Sequence, residues 1–282
     1  MKAAFRLMLA ALLAALLAAA AGCVHAAPYT LTQLQVAPGL NTYAFAINSA
    51  CAVLGSVYNK GWDNGVDSGF VWQSGEIRFL PVAEGSYGSR ARSINQSGEV
   101  AGHEYGPHGQ NWAAVWRGAD TRYYTESAEY TRAVDINAQG AVVVNGNNGG
   151  YHKSTLYTGA QGQVLIALST RFDDADPASP IVPAVQAWAI NDLNQVVGAS
   201  DAADHSVHAV MWRDGQIFDL YGDIGQDSVA MDINNAGQIV VNTSLADNSK
   251  RAGLWNSGSL RYLDAAGSAE GLAINAVGAV VG

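Results

Sequence analysis

Several groups of side chains in this chain have types and spacings that could do chemistry. The first is a column of unlike residues, Tyr43, Arg90, Arg132, Gln186, Val229 and Glu270, each standing immediately ahead of a recurring Ala/Gly-x-x-Ile-Asn segment. Guanidinium groups match carboxylate and phosphate oxygens. Two Arg, a Tyr, a Gln and a Glu around one opening would therefore grip a polar or anionic ligand; the plainer reading is a set of solvated strand ends. Asp135 and Asp232, with Glu270, form the second group and could supply the acid and base of a carbohydrate-active hydrolase or lyase. Against that, an Asp within Asp-Ile-Asn can simply accept bonds from neighbouring backbone. Asp173, Asp174 and Asp176, in a proline-bearing loop from Ser169 to Pro183, offer oxygen ligands of the kind Ca²⁺ takes. They lack a spaced calcium pattern and read as a solvated excursion, as does Asp63 to Asp67. The pairs His103 with His108 and His205 with His208 read as solvated loop residues. No Gly-x-Ser-x-Gly elbow, His-Glu-x-x-His, P-loop or cysteine-pair spacing is present, so no catalytic residue, metal or cofactor is expected.

The elements that position these residues follow from a repeat. An Ile-Asn pair recurs at Asn48, Asn95, Asn137, Asn191, Asn234 and Asn275, at spacings of 47, 42, 54, 43 and 41 residues, which marks an array of one supersecondary unit. The first strand of each unit alternates. Its small column is Ala44, Ala91, Ala133, Ala187, Ala230 and Gly271; its other face carries Phe45, Arg92, Val134, Trp188, Met231 and Leu272, followed by the Ile. Such a strand suits blades that stack large face on small face. Each Asn opens an Asn-x-x-Gly turn closed by Gly98, Gly140, Gly237 or Gly278, with Asn194 in the fourth copy and Cys51 in the first. The Asn side chain is expected to bond back to the turn, with the closing residue at positive φ. A Cys there is strained by roughly 1 kcal/mol, and Cys51 reads as a tolerated lapse.

A second, apolar strand follows, then a third ending in Trp72, Trp116, Tyr157, Trp212 or Trp255, which are expected to form an outer core. A fourth carries Phe79-Leu80, Tyr123-Tyr124, Ala167-Leu168, Asp219-Leu220 or Tyr262-Leu263. The unit containing Ala189 to Gly198, His208-Ala209-Val210-Met211-Trp212 and Asp214 to Leu220 resembles one repeat of the bacterial extracellular proteins known as the HAF family. The resemblance covers nearly all of residues 29 to 282. It implies an exported bacterial protein with a propeller-like fold and no established activity. The name-giving His position holds Ser68, Trp112, Lys153, His208 and Arg251 in the five copies, so a ring of histidines is not expected.

Four-stranded antiparallel meanders of this length read as blades of an all-β propeller, with an open β-repeat array as the alternative. One fourth-type strand at Tyr29 to Leu34, five full sets and two final strands give about six blades, the sixth incomplete. The closing Ala279-Val280-Val281-Gly282 would leave an unpaired apolar edge, so a truncated chain is expected.

Lys2 and Arg6 ahead of the apolar run Leu7 to Ala21 form a secretory leader, too short for the ~20 residues of a spanning helix. Cleavage after Ala26 competes with acylation of Cys23 in a lipobox-like Ala20-Ala21-Gly22-Cys23, which would tether the protein to a membrane. The organisation expected is thus a leader over residues 1–26 and a single repeat domain over 29–282. After Ala26 only Cys51 remains, so no intramolecular disulfide is possible. A hydrophobic content of 49% with 14% charged residues argues against disorder. A net charge of -9, without a Lys/Arg cluster in the sequence, disfavours nucleic acid as a partner. The sequence therefore points to an extracellular or periplasmic binding or adhesion module for a glycan or protein, with a lipid-anchored form, a carbohydrate-active enzyme and a passive structural array as alternatives.

Overall fold

The structure is a computed structural model that describes residues 33–34, 36, 41–58, 67–124, 130–148, 151–168, 184–204, 206–220, 226–263 and 267–282. The chain divides into Met1–Gln35 and Val36–Gly282. The leader, Cys23, Asp63 to Val66, the Asp173, Asp174 and Asp176 loop and His205 lie outside the described residues. So does most of the strand expected at Tyr29 to Leu34, of which Gln33 and Leu34 carry no strand.

Val36–Gly282 is built from antiparallel meanders. Blade 1 is β1 (Asn41–Ile47), β2 (Val53–Tyr58), β3 (Asp67–Gln73) and β4 (Glu76–Phe79); blade 2 is β5 (Gly88–Ile94), β6 (Val100–Tyr105), β7 (Asn111–Arg117) and β8 (Asp120–Tyr124). Blade 3 is β9 (Tyr130–Ile136), β10 (Val142–Asn148), β11 (Tyr151–Tyr157) and β12 (Gly162–Val164); blade 4 is β13 (Val185–Ile190), β14 (Val196–Asp201), β15 (Val207–Arg213) and β16 (Gln216–Asp219). Blade 5 is β17 (Ser228–Ile233), β18 (Ile239–Ser244), β19 (Lys250–Asn256) and β20 (Ser259–Tyr262), followed by the pair β21 (Ala273–Ile274) and β22 (Val280–Val281). These are the blades of a β-propeller, the sixth represented by two strands among the described residues. First strands of consecutive blades lie against one another. Blades 2 and 3 also join through a single parallel bridge, Asn111 with Tyr130.

The Asn turns form as their chemistry requires. In the first copy Asn48 Oδ1 accepts from the N–H groups of Ala50 (3.1 Å) and Ala52 (3.0 Å), and the same pair of bonds recurs at Asn95, Asn137, Asn191, Asn234 and Asn275. The closing residue has positive φ in every copy, Cys51 included at 57°. The side-chain N–H₂ has a second use. Asn48 Nδ2 donates to Asn95 O, Asn95 to Asn137 O, Asn137 to Asn191 O, Asn191 to Asn234 O and Asn234 to Asn275 O, at 3.0–3.2 Å. One residue type thus closes each hairpin and ties it to the next blade.

Strict alternation of the first strand does not hold. Pairing with the second strand slips between Ala44 and Ala46, Ala91 and Ser93, Ala187 and Ala189, and Ala230 and Asp232, and blade 3 slips at the same place, between Val143 and Val144 of β10. Phe45, Arg92, Val134, Trp188 and Met231 are therefore bulge residues, unpaired in the ladder and re-aimed by it. The small column does lie between blades, with Ala91, Ala133, Ala187 and Ala230 fully buried, but the residues packed there with it are Ile94, Ile136, Ile190 and Ile233. Among the described residues four apolar cores result, each shared by consecutive blades; between blades 1 and 2, Leu54, Val71 and Leu80 meet Ala91, Ile94, Val100 and Trp116. Burying an aliphatic side chain of this size contributes about 1.5–3 kcal/mol.

Trp116 and Trp212 are buried in these cores and donate Nε1–H at 2.7 Å to Pro81 O and Ile166 O of the preceding blade, while Trp72, Tyr157 and Trp255 are half-buried. The fourth strand of blade 3 is Gly162–Val164, and Ala167-Leu168 lies beyond it. Leu165 takes the place of Leu80, Leu220 and Leu263, each donating its N–H to a third-strand carbonyl. A short polar strand, Gly-Gln-Val, left no aromatic or aliphatic pair to mark it.

Candidate functional site

The bulges decide what reaches the inner side of the blades. On β9 and β13 the bulge residue and the residue two positions earlier share one cavity wall, joined from β5 by the bulge residue. At blades 2 to 4 they line a cavity of about 540 Å³ with Arg92, Arg132, Val134, Gln186 and Trp188 among its walls, joined by Tyr130 and the amide of Asn145. That volume is in the ~300–1,000 Å³ range of ligand sites. Among the described residues the lining contains no carboxylate.

The supporting bonds explain the arrangement. Asn145 on β10 donates Nδ2–H to Ala187 O at 2.9 Å and accepts from Ser154 Oγ at 2.6 Å. It therefore clasps β13 and holds Gln186 and Trp188 in register. Asn111, which bridges to Tyr130, accepts from an Arg132 guanidinium nitrogen at 3.3 Å when its amide is turned so that the oxygen faces that donor. Arg90 has its Nε 3.5 Å from Asp67 Oδ2 and its Cζ 5.7 Å from the Phe45 ring centroid. No hydrogen bond or ion pair joins Arg92 to a described side chain. Its guanidinium is held below the ordinary value, first by the protein crowded around it and then by the like charges of Arg90 and Arg132.

His103, on β6, is buried at 2% exposure beside Tyr105, with ring centroids 5.0 Å apart. Burial, then Arg132, Arg92 and Arg90, push its imidazole down to about 3, so it is neutral at physiological pH. Among the described residues four buried side-chain polar atoms have no hydrogen-bond partner, and three of them, Arg90 Nε, His103 Nδ1 and Trp188 Nε1, belong to these inner-strand neighbours; the fourth is Ser56 Oγ. Unsatisfied buried groups are uncommon and each costs about 1–3 kcal/mol. Their concentration here singles out this corner of the fold.

Of the column expected to form a mouth, Arg132 and Gln186 share the cavity, and Arg90 lies behind it against Asp67. Tyr43 is exposed on β1, Val229 is half-buried on β17, and Glu270 pairs with Lys250 at the far end of the array, where it lines a different cavity of about 810 Å³. Of the six, Arg132 and Gln186 share one described cavity and Glu270 lines another. Arg92 and Trp188 escaped the sequence reading because strict alternation assigned them to blade packing. The signal was available in Arg92 itself, the one charged residue in a column of Phe, Val, Trp, Met and Leu.

Asp135 and Asp232 are structural ties. Asp135 accepts from Ser93 Oγ at 2.5 Å, Ile136 N at 2.9 Å and Ile190 N at 2.8 Å. Asp232 accepts from Ile233 N and Ile274 N, both at 2.8 Å. Each links the first strands of neighbouring blades. Burial raises the Asp135 carboxyl to about 6 despite these bonds, and raises Asp232 as well. His103 and His208 are not solvated, contrary to expectation: both are buried strand residues, and His208 Nδ1 lies 2.7 Å from Asp219 Oδ2 with Nε2 3.4 Å from Asp204 Oδ2. Among the described residues no three His, Cys, Asp or Glu side chains gather as metal ligands, and no helix is long and apolar enough to cross a membrane.

No family model matches the chain, and no curated protein does. Solved structures do. The β-propeller domain of the trilobed protease from Pyrococcus furiosus is similar at 14% identity and a TM-score of 0.52, over 80% of this chain and 68% of that one. The acylaminoacyl peptidase of Pyrococcus horikoshii is similar at 14% identity and a TM-score of 0.54, over 80% of this chain and 38% of that one. The likeness is one of fold.

Proposed function

We propose that this protein is a non-catalytic binding module that grips an anionic ligand, glycan or protein, on the inner side of blades 2 to 4. The observation that carries the reading is the convergence of Arg92, Arg132, Gln186 and Trp188 on one cavity with no carboxylate among the described residues of its wall. Two guanidiniums with no described acid between them leave charge for a ligand to neutralise. The acids that a hydrolase would need are engaged instead, since both oxygens of Asp135 and of Asp232 accept hydrogen bonds.

The leader-like start and the likeness to HAF repeats support a working place on the outside of a bacterial cell, free or tethered through Cys23. The test is a glycan-array and pull-down screen on the secreted domain, with Arg92→Ala and Arg132→Ala run beside the parent. Losing one charge-assisted contact is expected to weaken binding by about tenfold or more, with thermal stability retained. Parent-like binding by both variants overturns the reading.

A further inference from the structure

We infer that the ligand is an acidic oligosaccharide, with a sugar ring lying on Trp188 and its carboxylate held between Arg92 and Arg132. This rests on the reading of the cavity as the binding site and goes further in naming the class. A simple inorganic anion would use the guanidiniums alone and leave the rest of the wall idle. That wall sets an indole at the bulge of β13 beside Gln186, whose exposed amide has no partner among the described residues, and adds the half-exposed Tyr130. A pyranose fits this mixture. Its C–H face is apolar and edge-positive, which suits the negative face of an aromatic ring; its vicinal hydroxyls match an amide that donates and accepts; its carboxylate matches the arginines.

An acidic peptide is the competing class, and the inner edge argues against it. Peptides commonly add as a strand to an open sheet edge. Here the edges of β5, β9 and β13 are each broken by a bulge within the cavity wall, at Arg92, Val134 and Trp188, and a bulge interrupts the ladder that an added strand would need. The apolar anchors that a peptide side chain would want are few, Val134 and the indole itself.

The experiment is calorimetric titration of the full chain with four probes: an oligogalacturonate, the same oligosaccharide with its carboxyls reduced, inorganic sulfate, and an oligoglutamate of equal charge. The expected result is binding of the oligogalacturonate with an affinity at least about tenfold above the other three. Trp188→Ala should lower that affinity by about tenfold while Trp188→Phe, which keeps an aromatic face, retains most of it. Arg92→Ala should lower it similarly and flatten its salt dependence. Arg213→Ala, on the outer side of blade 4, should leave it unchanged.

Equal binding of the oligoglutamate or sulfate, or indifference to Trp188→Ala, overturns the sugar assignment while the anion site stands. Equal binding of the reduced oligosaccharide overturns the role of the carboxylate. Parent-like binding by Arg92→Ala overturns the placing of the carboxylate between the two arginines; absence of binding by all four probes, or parent-like binding by both Arg92→Ala and Arg132→Ala, overturns both the assignment and the site.

Discussion

Arg92 is the residue whose identity the repeat does not require. Its counterparts Phe45, Val134, Trp188 and Met231 are apolar bulge residues, and a guanidinium beside two others, without a carboxylate of its own among the described residues, is electrostatically unfavourable unless something negative shares the space. His208 is the contrasting case, a titratable group whose partners are built in. Burial by itself lowers its imidazole, but the Asp219 contact at 2.7 Å and the Asp204 contact outweigh burial and raise it above its ordinary value. A group whose folded-state value is raised stabilises the fold fully below its unfolded value of about 6.5 and loses that contribution as pH climbs through the folded value. Urea-measured stability should therefore fall from about pH 6 upward, with a component that Asp219→Asn removes. A pH profile that Asp219→Asn leaves unaltered would count against the pair. Neither residue's environment was legible in sequence: His208 was read as solvated because its partner is eleven residues away across a hairpin, at Asp219.

At the scale of elements, the local parts of the repeat were readable and the paired parts were not. The Asn-x-x-Gly turns depend on near neighbours in sequence and fold as their residue types dictate, whereas the third-strand aromatics, buried at Trp116 and Trp212 and half-buried at Trp72, Tyr157 and Trp255, depend on the neighbouring blade. The first-strand bulge depends on register against β2, β6, β10, β14 and β18, which period-2 patterning cannot see. The fourth strand of blade 3 was misplaced by three residues because Leu165, not Leu168, carries the cross-strand bond to Ser154 O.

The Asn ladder was half legible. Its turn-closing oxygen follows from the motif, whereas its inter-blade N–H₂ bond requires a neighbouring copy. Asn137→Asp tests that half, because it keeps the acceptor for Gln139 and Ala141 and removes the donor to Asn191 O and Asn194 Oδ1. We expect a loss of about 1–3 kcal/mol in denaturant unfolding. The same change at Asn275, whose side-chain bonds among the described residues stay within its own turn, should cost less. Equal losses would remove the ladder from the account.

For the molecule as a whole, the cores run between blades and not within them, so each blade is stabilised by its neighbours and the array behaves as a chain of nearest-neighbour contacts. That construction frees the inner side. Residues there carry little of the packing, and blades 2 to 4 can differ from the rest without disturbing the stack. A chain with a net charge of -9 thereby gathers Arg90, Arg92 and Arg132 in one place, a cluster invisible in linear sequence because Arg132 is a full repeat from the other two. The most direct measurement is hydrogen exchange across the whole chain with and without saturating oligogalacturonate. The account predicts added protection on β5, β9 and β13, with blade 5 and the outer strands β4, β8 and β16 unchanged. Protection confined to outer strands or to the turns, with β5, β9 and β13 unaffected under saturation, would contradict it.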